Sequence, residues 1–300
     1  MSSGPAFCFS LVSVSEFKRV AILGPGLLGG SIALAWKEQH GVEGLSLWGR
    51  SSDRVTELRN HGFTEATTEL SQAVEGAELI ILAVPVGNMT SLAEQFAGLS
   101  PNDGVLVTDV GSVKGLPHEK VGRVLKAEGI DFVGSHPMAG SEQSGFEAAR
   151  ADLLVGAPCI LTNDEGVDES TVTKLIGFWA GLGAKTVVMT AEEHDRLVAK
   201  ISHVPHVLAA VCAMVGLESE DAAKLAGGGL RDTSRVAAGD PALWTEILLE
   251  NSAAVLGPLR ESAEILQGLA DLIEAGNESA LATVLEEAQR RRHFLAPPES

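Results

Sequence analysis

The sequence predicts an α/β fold: a doubly wound parallel sheet followed by an all-helical region. Three observations point there. An apolar run from Val20 to Leu23 ends in Gly24-Pro-Gly26-Leu-Leu-Gly29 and passes at once into an Ala/Leu-rich helical pattern from Ser31 to Lys37. Short apolar runs then alternate with helical patterns as far as residue 190, the spacing of βαβ units. Beyond Thr190 no strand pattern is evident, and helical periodicity runs to the end. The expected division is therefore 1–190, with 1–16 a loose tail or an extra strand, and 191–300.

The glycine turn has the G-x-G-x-x-G spacing of a Rossmann-type dinucleotide-binding unit, with the strand before and the helix after that give the motif its meaning. Gly24 suits a tight turn, Gly26 lets the backbone approach a pyrophosphate, and Gly29 lets the helix lie close on the strand. The N–H groups of the first helical turn, at Leu27 and Leu28, would face the phosphates. A plain structural turn is the alternative. The next strand runs from Gly44 to Trp48. An acidic residue at its end would bind the ribose 2′-OH of NAD, but Gly49-Arg50-Ser51-Ser52 stands there. The planar fork of Arg50 suits a 2′-phosphate, Ser51 and Ser52 can hydrogen-bond it, and Arg54 adds charge. This pattern favours NADP over NAD. In the other reading the segment is a solvated loop, and Asp53 serves NAD.

The alternation continues with strands from Glu78 to Val84, Gly104 to Asp109, Asp131 to Ser135, Ala157 to Thr162 and Lys185 to Met189. Helices are expected from Met89 to Ala97, from the Val110–Lys114 turn to about Lys126, and from Glu169 to Leu182. Ligands of such sheets sit beyond the carboxyl ends of the strands, and Ser112 and His136 each follow one.

Thr190-x-x-Glu193 reads as a capping box that opens the helical region. His203 and His206 share a helix face, and Pro205 between them predicts a kink. H-x-x-H also suits a metal pair, but no third ligand of fitting spacing is evident, and no metal is expected. Gly227-Gly-Gly-Leu-Arg231 reads as a strained break between helices. Asp240-Pro241 reads as an N-cap with Pro at the first helical position. A long apolar helix from Ala242 to Glu274, broken at Gly257-Pro258, and a last helix capped by Asn277 complete the chain. Helices this apolar bury surface against a second subunit, so a homodimer is expected.

The formal net charge of −18 argues against nucleic acid or an anionic membrane as partner. It also requires that an anionic cofactor be met by local positive groups. Cys8, Cys159 and Cys212 are scattered with no metal spacing, as in a reduced cytoplasmic protein. No apolar run is expected to span a membrane.

Over residues 18–260 the chain resembles the prephenate/arogenate dehydrogenase family of tyrosine biosynthesis. The resemblance rests on the glycine turn through Ser31, Asp109-Val-Gly-Ser-Val-Lys114, Ser135-His-Pro-Met-Ala-Gly-Ser-Glu142, His194-Asp195 with Ser202-His-Val-Pro-His206, and Leu230-Arg-Asp-Thr-Ser-Arg235. It implies a nucleotide-binding domain joined to a helical dimerisation domain, with the active site between them. No regulatory ACT or chorismate mutase domain is expected. By resemblance His136 is the catalytic histidine that bonds the ring 4-hydroxyl, and Ser112 orients that pair. Arg231 holds a substrate carboxylate, His206 is a second substrate-side histidine, and Ser141 and Glu142 line the site. The implied reaction sends hydride from the carbinol carbon to NADP or NAD while the ring loses CO2. Prephenate and arogenate both remain open as substrate; Glu142 would suit the amino group of arogenate. Two other readings compete. One is a β-hydroxyacid dehydrogenase or imine reductase, which would use a helix lysine such as Lys200. The other is an NADPH-sensing regulatory protein without turnover.

Overall fold

The computed structural model describes residues 17–99, 104–141 and 143–295. Residues 1–16, and with them the expected tail or extra strand, lie outside the described residues. Six parallel strands form the first sheet: β1 (Val20–Leu23), β2 (Leu45–Trp48), β3 (Ala66–Thr67), β4 (Leu79–Leu82), β5 (Leu106–Asp109) and β6 (Asp131–Phe132). Between them run α1 (Leu27–His40), α2 (Ser52–Asn60), α3 (Leu70–Val74), α4 (Val86–Ala97), α5 (Gly115–Pro117), a π turn (His118–Gly122) and α6 (Arg123–Ala127). The order β3-β2-β1-β4-β5-β6 reverses direction at β1, so the turn after β1 sits at the topological switch point. Side chains of β1 alternate between two cores. Val20 and Ile22 pack with Ile32 and Trp36 of α1, and Ala21 and Leu23 with Met89 and Phe96 of α4. That is the doubly wound arrangement the apolar runs predict. The two-residue β3 had no strand pattern of its own and was not expected.

The run from Asp131 to Ser135 is not one strand of one sheet. After Val133, whose N–H donates to Val107 O at 3.0 Å, the chain leaves the parallel sheet. It enters β7 (Gly134–Pro137), antiparallel to β8 (Pro158–Thr162), which is itself parallel to β9 (Lys185–Met189). Between β8 and β9 lies α7 (Glu169–Gly181). Two features make the crossing. At Gly134 a Cβ would strike Thr162 Oγ1 and lie 3.0 Å from Lys114 Cδ, so only glycine passes. Side-chain bonds then replace the ladder: Thr108 Oγ1 to Ser135 Oγ at 2.7 Å, and Ser135 N–H to Asp109 Oδ1 at 3.1 Å.

After β9 the described chain is helical throughout. It runs through α8 (Ala191–Val198), a π turn (Ala199–His203), α9 (Val204–Gly216), α10 (Glu220–Leu225), α11 (Gly228–Ser234), a 3-10 turn (Arg235–Ala238), α12 (Pro241–Glu250), α13 (Ser252–Glu274) and α14 (Glu278–Arg292). The expected caps are present at Thr190, Asp240 and Asn277. A π turn directly precedes Pro205, which lies in the first turn of α9, where a missing N–H costs little. The three glycines carry no strain either. None has positive φ, and Gly227 is simply the N-cap of α11. The long helix breaks at Asn251 rather than at Gly257-Pro258, and Pro258 lies inside α13. Ala191–Gly216 is long and apolar enough, by length and composition alone, to cross a membrane. His194, His203 and Asp195 within it instead join a polar network, and its exposed apolar residues include Met214 and Val215. Structure changes from mixed to all-helical at Thr190, whereas by contacts the chain parts into two compact units at residue 252. The helices of 191–252 stay with the sheet because α8 packs on β8 and α5.

One carboxylate in α12 sets a stability prediction. Burial first, and then Glu246, push the Glu250 carboxyl up to about 7, against Lys120. Its buried Oε2 has no hydrogen-bond partner. A raised folded value means that the native state holds the proton longer than the unfolded chain. Stability therefore falls as pH rises from the ordinary 4.5 to about 7, and the penalty is complete above that window. Glu250→Gln is expected to raise Tm by about 2–4 °C at pH 8 and to leave it unchanged at pH 4, read by thermal melts at both.

Candidate active site

The centre of the site is a chain of imidazoles held by one carboxylate. Thr190 caps α8 in a full capping box with Glu193, which fixes where the helix starts and places His194 and Asp195 in its first turns. Asp195 reaches across to the turn after β5. Its Oδ1 accepts the Lys114 N–H at 2.8 Å, and its Oδ2 accepts the Gly115 N–H at 2.9 Å. Oδ1 also lies 2.8 Å from His194 Nδ1, and His194 Nε2 lies 2.8 Å from His136 Nδ1. Burial opposes ionisation of Asp195, but the hydrogen bonds from His194, Lys114 and Gly115 hold its pKa below the usual carboxylate range. Burial lowers the pKa of His194, with the Asp195 hydrogen bond opposing. His136 is held well below the ordinary histidine value by burial and then by His194, Lys114 and His203. At neutral pH both rings are neutral.

Beneath this chain lies a fully buried ion pair. Lys114 Nζ contacts Asp109 Oδ2 and donates to Ser135 O at 2.8 Å. Burial lowers the Lys114 pKa, against the pull of Asp109. The pair ties the end of β5 to β7 one residue before His136. A second polar chain leaves Asp195 on its far side. Asn251 Nδ2 donates to the Asp195 carbonyl at 2.9 Å and lies 3.1 Å from His203 Nδ1. His203 is buried and its pKa is pushed down to about 4, by burial above all. His206 stacks flat on Trp244, with ring centroids 3.5 Å apart. Glu246 of the same helix accepts the Gly87 N–H at 2.6 Å, placing an anion at the start of α4.

Of the residues expected from sequence, His136 and His206 are both buried and belong to this assembly. Ser112 is half-buried in the turn after β5 and makes no hydrogen bond to His136; the partner of His136 is His194. Arg231 is exposed on α11, and its guanidinium makes no hydrogen bond or ion pair with any described residue, His136 included. Its helix packs on α9, where the Leu230 side chain covers Gly216. Ser141 is exposed, and its Oγ accepts the Gln143 N–H at 2.8 Å. Glu142 lies outside the described residues. Lys200, required by the hydroxyacid-dehydrogenase reading, is exposed in the π turn. Sequence reasoning missed His194, Asp195, Asn251 and Trp244 as site residues. The signal for the first two was the His-Asp pair one turn after a capping box; Asn251 and Trp244 carried none.

The dinucleotide cradle fits its expected ligand. Gly24 has φ +103°, and a Cβ on Gly29 would strike the Gly24 carbonyl, so strand, turn and helix close tightly. A Cβ on Gly26 would meet nothing within 4 Å. Gly26 is the N-cap of α1, which has no side-chain cap and no acid in its first turn. The N–H groups at Leu27 and Leu28 therefore face open space where a phosphate fits. At the end of β2 the expected cluster divides. Arg54 bonds Glu57 at 2.5 Å and Glu147 at 3.4 Å. Ser51 caps α2, which Ser52 begins, and Arg50 is exposed.

Residues 32–188 match the family described as prephenate dehydrogenase, nucleotide-binding domain, and residues 190–287 match that described as prephenate dehydrogenase, dimerization domain. The chain is 35% identical over 290 residues to the cyclohexadienyl dehydrogenase of Zymomonas mobilis, covering 94% of this chain and 97% of that one. It is 33% identical over 286 residues to a prephenate dehydrogenase of Lactococcus lactis, covering 93% and 77%. Among solved structures, prephenate dehydrogenase from A. aeolicus in complex with hydroxyphenyl propionate and NAD+ superposes with a TM-score of 0.84 at 26% identity, covering 96% of this chain and all of that one.

Proposed function

The chain belongs to the prephenate dehydrogenase family, and from that membership we propose how its own residues carry out the reaction. The reaction is the oxidative decarboxylation of prephenate or arogenate, with the hydride passing to a nicotinamide dinucleotide. When bound, the dinucleotide supplies the hydride acceptor. The N–H groups at Leu27 and Leu28, on the open side of Gly26, would hold its pyrophosphate. Neutral His136 takes the proton of the ring hydroxyl as the carbonyl forms. Loss of CO2 then makes the ring aromatic and the step irreversible. From the family resemblance, Ser112 in the turn after β5 orients His136 and the same hydroxyl, and His206 on its Trp244 platform faces the substrate side chain. Arg231, paired with no carboxylate among the described residues, binds one from the substrate. The observation that carries this reading is a buried imidazole, kept neutral, on β7 just after the β6–β7 crossing.

For the cofactor we favour NADP+. With Arg54 engaged by two glutamates, the preference rests on Arg50 and the start of α2. Arg50→Ala is expected to raise KM for NADP+ about 10-fold and to leave that for NAD+ within about twofold. Steady-state kinetics with prephenate and arogenate, each crossed with both cofactors, tests the reading as a whole. Turnover of neither substrate would sink it, and equal KM changes would remove Arg50 from the choice of cofactor.

The division near residue 190 is proposed as the boundary between cofactor and dimerisation domains. A second copy of the chain is the proposed cover for Met214, Val215 and Leu225, which stand exposed in 191–252. The free thiols of Cys159 and Cys212 support a reducing, cytoplasmic setting.

A further inference from the structure

We propose that His194, held by Asp195, is a positioning residue that fixes the tautomer of His136 and so turns its Nε2 lone pair toward the reacting hydroxyl. This rests on His136 being the base, as above. The direction of every hydrogen bond in the chain follows from one end. The Asp195 carboxylate can only accept, and it already accepts from two backbone N–H groups, at Lys114 and Gly115. The His194 nitrogen 2.8 Å from it, Nδ1, must therefore carry the proton. A neutral imidazole has one N–H, so His194 Nε2 is an acceptor. His136 Nδ1, 2.8 Å from that acceptor, must be the donor. His136 Nε2 is left with its lone pair, the form a general base needs.

Geometry and charge agree along the chain. The rings of His136 and His194 meet edge to face, with centroids 5.0 Å apart, so a lone pair and an N–H meet without stacking. His194 is fully buried, and water does not compete for its nitrogens. The charged and titratable groups around His136 are His194 and Asp195 of α8, Lys114 and Asp109 after and within β5, His203 of the π turn, and the buried Cys159 thiol of β8, which engages the His136 backbone. None of them offers His136 Nδ1 another acceptor. When His136 takes the substrate proton, the resulting imidazolium keeps its Nδ1–H bond to His194, and the Asp195 charge lies one ring further on. No second proton moves. The scheme resembles the carboxylate that orients a catalytic histidine in hydrolases, with one imidazole inserted between.

Two variants separate orientation from packing. His194→Leu removes the acceptor; His194→Gln keeps an amide oxygen able to accept from His136. The expected result for His194→Leu is a kcat lower by about 10²–10⁴-fold, with KM for substrate and cofactor within about twofold. Nitrogen NMR of ¹⁵N-histidine-labelled protein should show the His136 proton on Nδ1 in the wild type and redistributed to Nε2 in His194→Leu. His194→Gln should restore both the tautomer and most of kcat. Unchanged kcat in His194→Leu would overturn the proposal. So would equal losses in both variants with the His136 proton still on Nδ1, because that is a packing effect. The parent reading fails separately: it falls if His136→Asn retains full turnover, whatever the His194 variants do.

Discussion

His136→Asn is expected to lower kcat by about 10²–10⁴-fold, the range that general-base help contributes, with KM for substrate and cofactor within about twofold. The loss falls on kcat because the imidazole acts as the carbonyl forms, whereas binding rests on other groups. The pH dependence has a definite sign. The base works only unprotonated, and burial, with His194 and Lys114, holds the His136 pKa well below the ordinary 6.5. The wild-type rate should thus stay flat from pH 8 down past 6.5 and fall only on further acidification. Steady-state rates across that range check both points. An acidic limb centred at or above 6.5 would place the base elsewhere, as would full turnover in the variant.

Arg231→Ala is expected to raise KM for the substrate by about 10- to 100-fold, the worth of a charge-assisted, two-pronged contact, and to change kcat little. A grip that tightened on the departing ring carboxylate would oppose loss of CO2, so this residue serves binding and not the chemical step. Among the described residues no acid pairs with the exposed guanidinium, in a chain with 40 acidic residues, so its charge is open to a ligand. Arg231→Lys should recover only part of the affinity, since an ammonium cannot match the planar fork. An unchanged KM in the alanine variant would dismiss the clamp.

The glycine turn, the doubly wound sheet and His136 could be read from the chain because each leaves a local mark: a spacing, an apolar alternation, a polar residue at a strand end. The β6–β7 crossing could not. Asp131 to Ser135 is continuous as an apolar pattern, and what splits it is Thr162, Thr108 and Asp109, distant in sequence. His194 and Asp195 stood in plain view, but their importance lies in the Lys114 and Gly115 N–H groups some 80 residues earlier. Arg54 illustrates the opposite failure. It looked free for a phosphate until Glu147, 93 residues on, was found beside it. The strain expected at Gly227–Gly229 failed for a simpler reason: small residues permit unusual backbone angles but do not demand them.

The wide turn at Ala199–His203 has an effect beyond accommodating a proline. An α-helix advances about 100° per residue, so one surplus residue absorbed in the winding rotates the whole downstream segment by about that angle. Upstream, His194 looks toward the strands; downstream, His206 looks toward Trp244, while Met214 and Val215 look outward. A single rod thereby serves two neighbours that no straight helix could face in the same register, and loss of one residue anywhere in that turn would misdirect every contact that follows it.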